Sequence, residues 1–336
     1  MTTFATATGI GSWPGRSARA AAEVVVGELH QMPYLPELPD RGVGADMIGR
    51  AGALLVDIAV DTVPRGYRVT ARPGAVTRRA VSLLGEDLDA LEEAWAKAGG
   101  AQSGRPVKVQ CPGPVTLAAQ LELANGHRAI TDPGALRDLT TSLAEGMAIH
   151  RAEVARRLST TVVVQFDEPL LPAALAGRLA GASVLTPVHP VDAAGAVALL
   201  DECVTAVGGE VLVHCCAADV PWEVFRRSAV SAVSVDPAVL DDSGRDGLGG
   251  FIDSGRTAVL GLLPAVAVEP APSFEQLAAA AAGVTDRLGF PRAVLGDRVG
   301  LSPVCGLAGA TAAWAQAATV LLQRAADAVA QDPAAI

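Results

Sequence analysis

Apolar residues recur along this chain in two rhythms. Short runs such as PVKVQC, TTVVVQFD, EVLVHCC, SAVSV and TAVLGLL carry β-branched or aliphatic residues at most positions. Between them lie longer stretches where apolar residues return every three or four positions, as in EDLDALEEAWAKA, DAAGAVALLDECVTAV and SFEQLAAAAAGVTDRL. The first rhythm predicts strands buried on both faces, and the second predicts amphipathic helices.

In chain order, ATATGIGS predicts a first strand and SARAAAEVVVGEL the helix after it. A Pro-rich loop, QMPYLPELPDRG, follows. ADMIGRAGALLVDIAV starts as helix, and its end is open between helix and strand. The helix EDLDALEEAWAKA has acidic residues in its first turn, where they meet the positive end of the helix dipole. PVKVQCPG is a strand closed by a Pro/Gly break. A long helix then starts at the cap-like Thr-Asp-Pro of TDPGALRDL. TTVVVQFDEP, EVLVHCC, AVSVD, TAVLGLLP and VGLSPVCGL continue as strands, with helices between most of them and a last helix over ATAAWAQAATVLLQRAADAVA.

Strands separated by helices imply parallel crossovers. About eight such units at this length favour a (β/α)8 TIM barrel, one domain over residues 1–336, since such barrels run longer than an average domain. A doubly wound sheet would carry a G-x-G-x-x-G turn after its first strand. TGIGSWPG has the glycines without that spacing.

The 336 residues carry a net charge of −10. Lys and Arg form no block, so a footprint for nucleic acid or an anionic membrane surface is missing. No apolar run is long enough to span a bilayer. The start, MTTFATATGIGSWPG, lacks a basic leader and a long apolar stretch, so no signal peptide and a cytoplasmic location are expected. The five cysteines are odd in number and two are adjacent, which is a poor disulfide framework. Cysteine clustered with histidine in a cytosolic chain is more often catalytic or metal-binding.

Polar residues collect where apolar strands end: GIGSW, VVVQFDEP, VLVHCC, AVSVD and LSPVCGL. In a barrel these ends form the rim where catalytic side chains gather. Side chains alternate along a strand, so His214 and Cys216 share one face and Cys215 takes the other. Asp236 falls in phase with Ser234 and Ala232, and Cys305 ends the last strand. One imidazole, two thiols and a carboxylate suit zinc, and soft thiolates argue against magnesium or calcium. The alternative is that these residues are packed core, since free cysteine is among the most buried residue types. Spacing leaves both readings open.

GIGSWPG, CPGPVTLA, VVQFDEP, VHCC and SPVCGL, in that order from Thr8 to about Gly306, resemble the cobalamin-independent methionine synthase family. The likeness is to its C-terminal catalytic barrel, related to the uroporphyrinogen decarboxylase fold, in a short core-only form. It implies transfer of a methyl group to the zinc-bound thiol of homocysteine, giving methionine. By this resemblance His214, Cys216 and Cys305 are zinc ligands. Asp236 stands where the family has a glutamate ligand, and either binds the metal or leaves a water there. Asp167 is the expected catalytic carboxylate and holds the amino group of homocysteine. Ile10 and Ser12 meet its carboxylate end through backbone and hydroxyl.

The donor side of the pattern departs from the family. Its histidine after the seventh strand has no counterpart in GLLPAVAVEPAPS, and its folate-stacking tryptophan near GPVT is absent. Asp57 and Asp61 fit poorly as its acidic residue after the second strand. The expected partners are therefore homocysteine and a methyl donor, either methyl-tetrahydrofolate or a methyl-corrinoid protein, with no nucleic acid or membrane. The rivals are another thiol acceptor and a non-catalytic, amino-acid-binding barrel. Glu168, Cys111, Trp13, Trp222 and Trp314 are expected to be structural.

Overall fold

Side-chain alternation sorts the strand residues into two cores. We describe a computed structural model, which covers residues 2–181 and 186–336. Its strands are β1 (Ala59–Val63), β2 (Gly66–Thr70), β3 (Val107–Pro112), β4 (Leu121–Glu122), β5 (Val162–Asp167), β6 (Val211–His214), β7 (Ala232–Val235), β8 (Thr257–Leu263) and β9 (Val299–Pro303). A parallel sheet in the order β3-β5-β6-β7-β8-β9 forms the curled frame. Val164 and Phe166 of β5, Val211 and Val213 of β6, and Val233 and Val235 of β7 join the large core that includes residues of the surrounding helices. The alternate residues Val163, Leu212 and Ala232 join Phe4, Met32 and Val259 in a separate core. On the face of this smaller core the strands turn polar toward their C-terminal ends, with Gln165, Asp167, His214 and Ser234, all buried.

The expected first strand is not regular. Between residues 5 and 12 only Ala7 and Ser12 form bridges, to Leu301 of β9 and to Glu37. Tyr34 bridges Lys108 of β3. Backbone bonds accompany these bridges: Thr8 N–H donates to Leu301 at 3.0 Å, Glu37 N–H to Gly11 at 3.0 Å and Leu35 N–H to Lys108 at 2.9 Å. The irregularity follows from the glycines. A Cβ on Gly9 would lie 2.2 Å from Tyr34 Cε1, and Gly11 has φ +152° with Gln110 against it. The large inner side chains use the room that these glycines leave.

The open end of ADMIGRAGALLVDIAV is strand β1, paired with β2 in an antiparallel hairpin and, through β2, with the short β4. The helix read over EDLDALEEAWAKA begins earlier, at Ala75, and runs to Lys97. The first long helix, Ala18–Glu28, is capped as its sequence implies, with the Ser17 hydroxyl accepting from Ala20 N–H. A helix at Asp242–Asp253 has no counterpart in the apolar pattern. Its Gly247 is the seat of Trp222, whose Cδ1 would lie 2.1 Å from an added Cβ.

Candidate metal and substrate site

The ends of β5, β6 and β7 are in register, so their last inner side chains meet. Asp167 pairs with His214, and His214 with Ser234. Cys216 lies two residues beyond His214, and Cys305 two residues beyond the end of β9. Ligand atoms of His214, Cys216 and Cys305 all lie within 4.8 Å of one another. His214 is buried, Cys216 half-buried and Cys305 exposed. Cys215 is fully buried and its N–H donates to Ser234 O at 2.9 Å.

The Cys305 loop is brought in by a glycine. A Cβ on Gly306 would fall 1.9 Å from Ser12 Oγ, so only glycine lets this loop press on the 9–12 segment. Leu307 N–H donates to Ser12 O at 2.9 Å and fixes the contact. This accounts for the Gly that follows Cys305 in SPVCGL.

The two thiols hold one another. The neighbouring Cys216 thiol, with His214, lowers the pKa of Cys305. The same contact between the thiols, with burial, raises the pKa of Cys216. The pair thus favours one negative charge between the two sulfurs. On His214, Nδ1 lies 3.2 Å from Ser234 Oγ, while Nε2 is buried with no hydrogen-bond partner. An orphaned imidazole nitrogen beside two thiols is the donor set of a soft metal site. One nitrogen and two sulfurs fit zinc.

Asp236 is not in this group. It sits one residue past β7, half-buried, and its Oδ1 accepts the N–H of Ala238 at 2.8 Å. An aspartate at a strand-to-turn junction readily makes this local bond.

A cavity of about 300 Å³ opens over the cluster, lined among others by Ile10, Ser12, Asp167, His214, Cys216 and Cys305. Gln165 Nε2 donates to Asp167 Oδ1 at 2.7 Å and to Ile10 O at 2.6 Å. Burial pushes the Asp167 pKa up to about 7, against the pull of His214. Beneath the cavity, fully buried Lys108 donates to Ile10 O at 3.4 Å and to Gln110 Oε1 at 3.2 Å. Burial lowers its pKa to about 7.

Sequence reasoning missed Glu37, which lines the same cavity and is buried. It accepts from Gln110 Nε2 at 3.1 Å and lies 3.7 Å from Arg50 Nε. Burial raises its pKa. The signal was a lone acid between prolines in PYLPELP, a stretch whose prolines read as loop. Asp57 and Asp61, weighed for such a role, are not among the cavity residues. Glu168 is structural: its carboxylate accepts Val115 N–H and Thr116 N–H at 2.9 Å each, and the Thr116 hydroxyl at 2.7 Å. It caps the helix Pro114–Gln120 from the neighbouring strand end. Cys111, Trp13, Trp222 and Trp314 are buried in the large core.

No helix among the described residues is long and apolar enough to cross a membrane. No curated protein matches this sequence. Among solved structures, the chain is similar to a B12-independent methionine synthase from Shewanella sp. W3-18-1 in complex with selenomethionine. The TM-score is 0.64 at 13% identity, over 99% of this chain and 100% of that one. A methyltransferase from Methanosarcina mazei aligns with TM-score 0.57 at 17% identity, over 96% and 92% of the two chains. A putative vitamin-B12 independent methionine synthase from Listeria monocytogenes aligns with TM-score 0.58 at 12% identity, over 96% and 98%. At these identities the likeness is one of fold. The family model for the catalytic domain of cobalamin-independent synthase matches residues 4–328. The chain therefore belongs to the cobalamin-independent synthase catalytic-domain family, and it is a methyltransferase of the methionine synthase-like kind.

Proposed function

We propose that this protein transfers a methyl group to the thiol of homocysteine, forming methionine, with zinc held by His214 Nε2, Cys216 Sγ and Cys305 Sγ. The observation that carries this reading is the partnerless His214 Nε2 facing two thiols, all within 4.8 Å, under a cavity that also holds a carboxylate. Zinc bound there supplies a positive centre that deprotonates an incoming thiol and leaves it a strong nucleophile at neutral pH.

The chain's own residues do the rest. Asp167 and Glu37 accept the ammonium of the amino acid, and the Ser12 hydroxyl with the 10–12 backbone receives its carboxylate. Pro39, Ala45, Met47 and Pro169 provide an apolar wall for the methylene groups. Anchoring both polar ends fixes the sulfur for in-line attack on the methyl carbon. His214, Cys216 and Cys305 would hold the metal and, as three donors, would leave it able to take that sulfur. Asp236 stays with Ala238 in this reading. The frame that carries these groups is a (β/α)8 barrel, with segments 5–12 and 33–37 as its irregular first and second strands. Their bridges to β9, to each other and to β3 support it.

A corrinoid-bound methyl donor is the second reading for the donor side. His214 is the one histidine on the cavity among the described residues, and a bound metal would occupy it. None remains there to protonate a folate leaving group. Zinc-loaded protein should form methionine from homocysteine and methylcobalamin, and much more slowly from methyl-tetrahydrofolate. Faster turnover with the folate overturns the donor reading. Failure with every donor, together with no homocysteine binding, overturns the proposed activity.

A further inference from the structure

Ser234 holds the His214–Cys216 segment at two points. Its hydroxyl lies 3.2 Å from His214 Nδ1, and its carbonyl accepts the N–H of Cys215, the next residue along, at 2.9 Å. Both ends of one serine therefore fasten the segment that carries His214 and Cys216. The hydroxyl continues to Ser302 Oγ at 3.4 Å. Ser234 and Ser302 are fully buried.

This second contact spans a strand. Ser234 is on β7 and Ser302 on β9, with β8 between them. The register partner of Ser302 on β8 is Gly261, and paired residues of parallel strands share a face. Ser234 is itself paired with Val259 of β8, so the two hydroxyls meet on the diagonal across that strand.

We propose that the Ser234–Ser302 hydroxyl pair is a positioning device for the metal site, holding the His214 ring through Nδ1 so that the Nε2 lone pair is presented between Cys216 and Cys305. This rests on the zinc reading above. A metal that takes the Nε2 lone pair requires the ring hydrogen to sit on Nδ1. Ser234 Oγ then accepts that hydrogen and donates its own to Ser302 Oγ, so the Nδ1 hydrogen and the Ser234 hydroxyl both have partners. Metal-bound histidines are commonly anchored at the other nitrogen by a carboxylate or carbonyl. Here the anchor is uncharged. Two thiolates already neutralise a divalent ion, so a neutral anchor adds no third negative charge before the substrate thiolate arrives.

The test is zinc affinity by chelator competition for the wild type, Ser234→Ala, Ser234→Thr and Ser302→Ala, with folding checked by circular dichroism. Removing such an anchor costs about 10- to 100-fold in metal affinity. Ser234→Ala should show that loss, Ser234→Thr should restore affinity by keeping the hydroxyl, and Ser302→Ala should lose less than Ser234→Ala. Wild-type affinity in Ser234→Ala, or no rescue by threonine, overturns the proposal. The second readout is the ¹⁵N spectrum of His214 in metal-free protein, where the hydrogen-bonded Nδ1 signal should vanish in Ser234→Ala and persist in Ser234→Thr. If wild type binds no zinc, the zinc reading has failed, and with it the role assigned to the pair at a metal. An unchanged ¹⁵N signal in Ser234→Ala would then also remove the hold on the ring.

Discussion

Asp236 Oδ1 accepts the backbone N–H of Ala238 at 2.8 Å, which gives the carboxylate a partner outside the His214–Cys216–Cys305 group. Asparagine keeps that oxygen and loses the charge. Asp236→Asn should therefore hold zinc within about threefold of wild type, well inside the roughly tenfold per 1.4 kcal/mol that a lost contact would produce. A loss of tenfold or more, measured by chelator competition, would make Asp236 a ligand.

Cys215 and Cys216 are adjacent and have different surroundings. Cys215 is fully buried in the large core, while Cys216 lines the cavity. Cys215→Ala should keep full zinc content and lose about 1 kcal/mol of stability, typical of a small core change. Cys216→Ala should lose the metal with little change in the unfolding midpoint of the metal-free protein. Metal analysis paired with urea unfolding separates the two, and equal zinc contents would sink the assignment.

Asp167 is the cavity carboxylate held by Gln165 at 2.7 Å. Asp167→Asn removes the charge that meets the ammonium and keeps the shape. A hydrogen bond to a charged group is worth about 1.5–3 kcal/mol, so KM for homocysteine should rise about 10- to 100-fold. Zinc content should not change. An analogue without the amino group should be handled equally by both proteins, and a KM unaffected by the substitution would remove Asp167 from the substrate site.

His150 lies buried on the helix Pro133–Leu158, and burial, with the Arg50 charge nearby, lowers its pKa to about 3. The ordinary value for the unfolded chain is 6.5. A folded-state value below the unfolded one means that the unfolded chain takes up the proton first as pH falls. The neutral imidazole therefore costs no linkage energy above pH 6.5, and stability is lost progressively from there toward pH 3. Each unit of pH across that window is worth about 1.4 kcal/mol. The stability difference between wild type and His150→Leu should shift against wild type as pH is lowered from 7 to 4. A pH-independent difference would contradict the buried neutral state.

The inner and outer faces of β5, β6 and β7 were legible in the sequence because period-two alternation places Val163, Gln165 and Asp167 opposite Val164 and Phe166. The same rule brought His214 and Cys216 to one face. Cys305 could be placed only through the motif around it, since no periodicity links it to His214. Glu37 escaped because its segment is held by single bridges rather than a ladder, so it carries no strand pattern. The helix Asp242–Asp253 escaped because its glycines dilute the helical signal, and Gly247 is there for Trp222 to pack against. Asp236 was read in phase with Ser234, and its local bond to Ala238 is set by the turn after the strand, which alternation does not describe.

The most direct measurement is X-ray absorption at the zinc edge, before and after homocysteine is added. Bound zinc should have one nitrogen and two sulfur neighbours from the protein, and a third sulfur when homocysteine binds. A protein that takes up no zinc, or a sulfur count that homocysteine leaves unchanged, would contradict this.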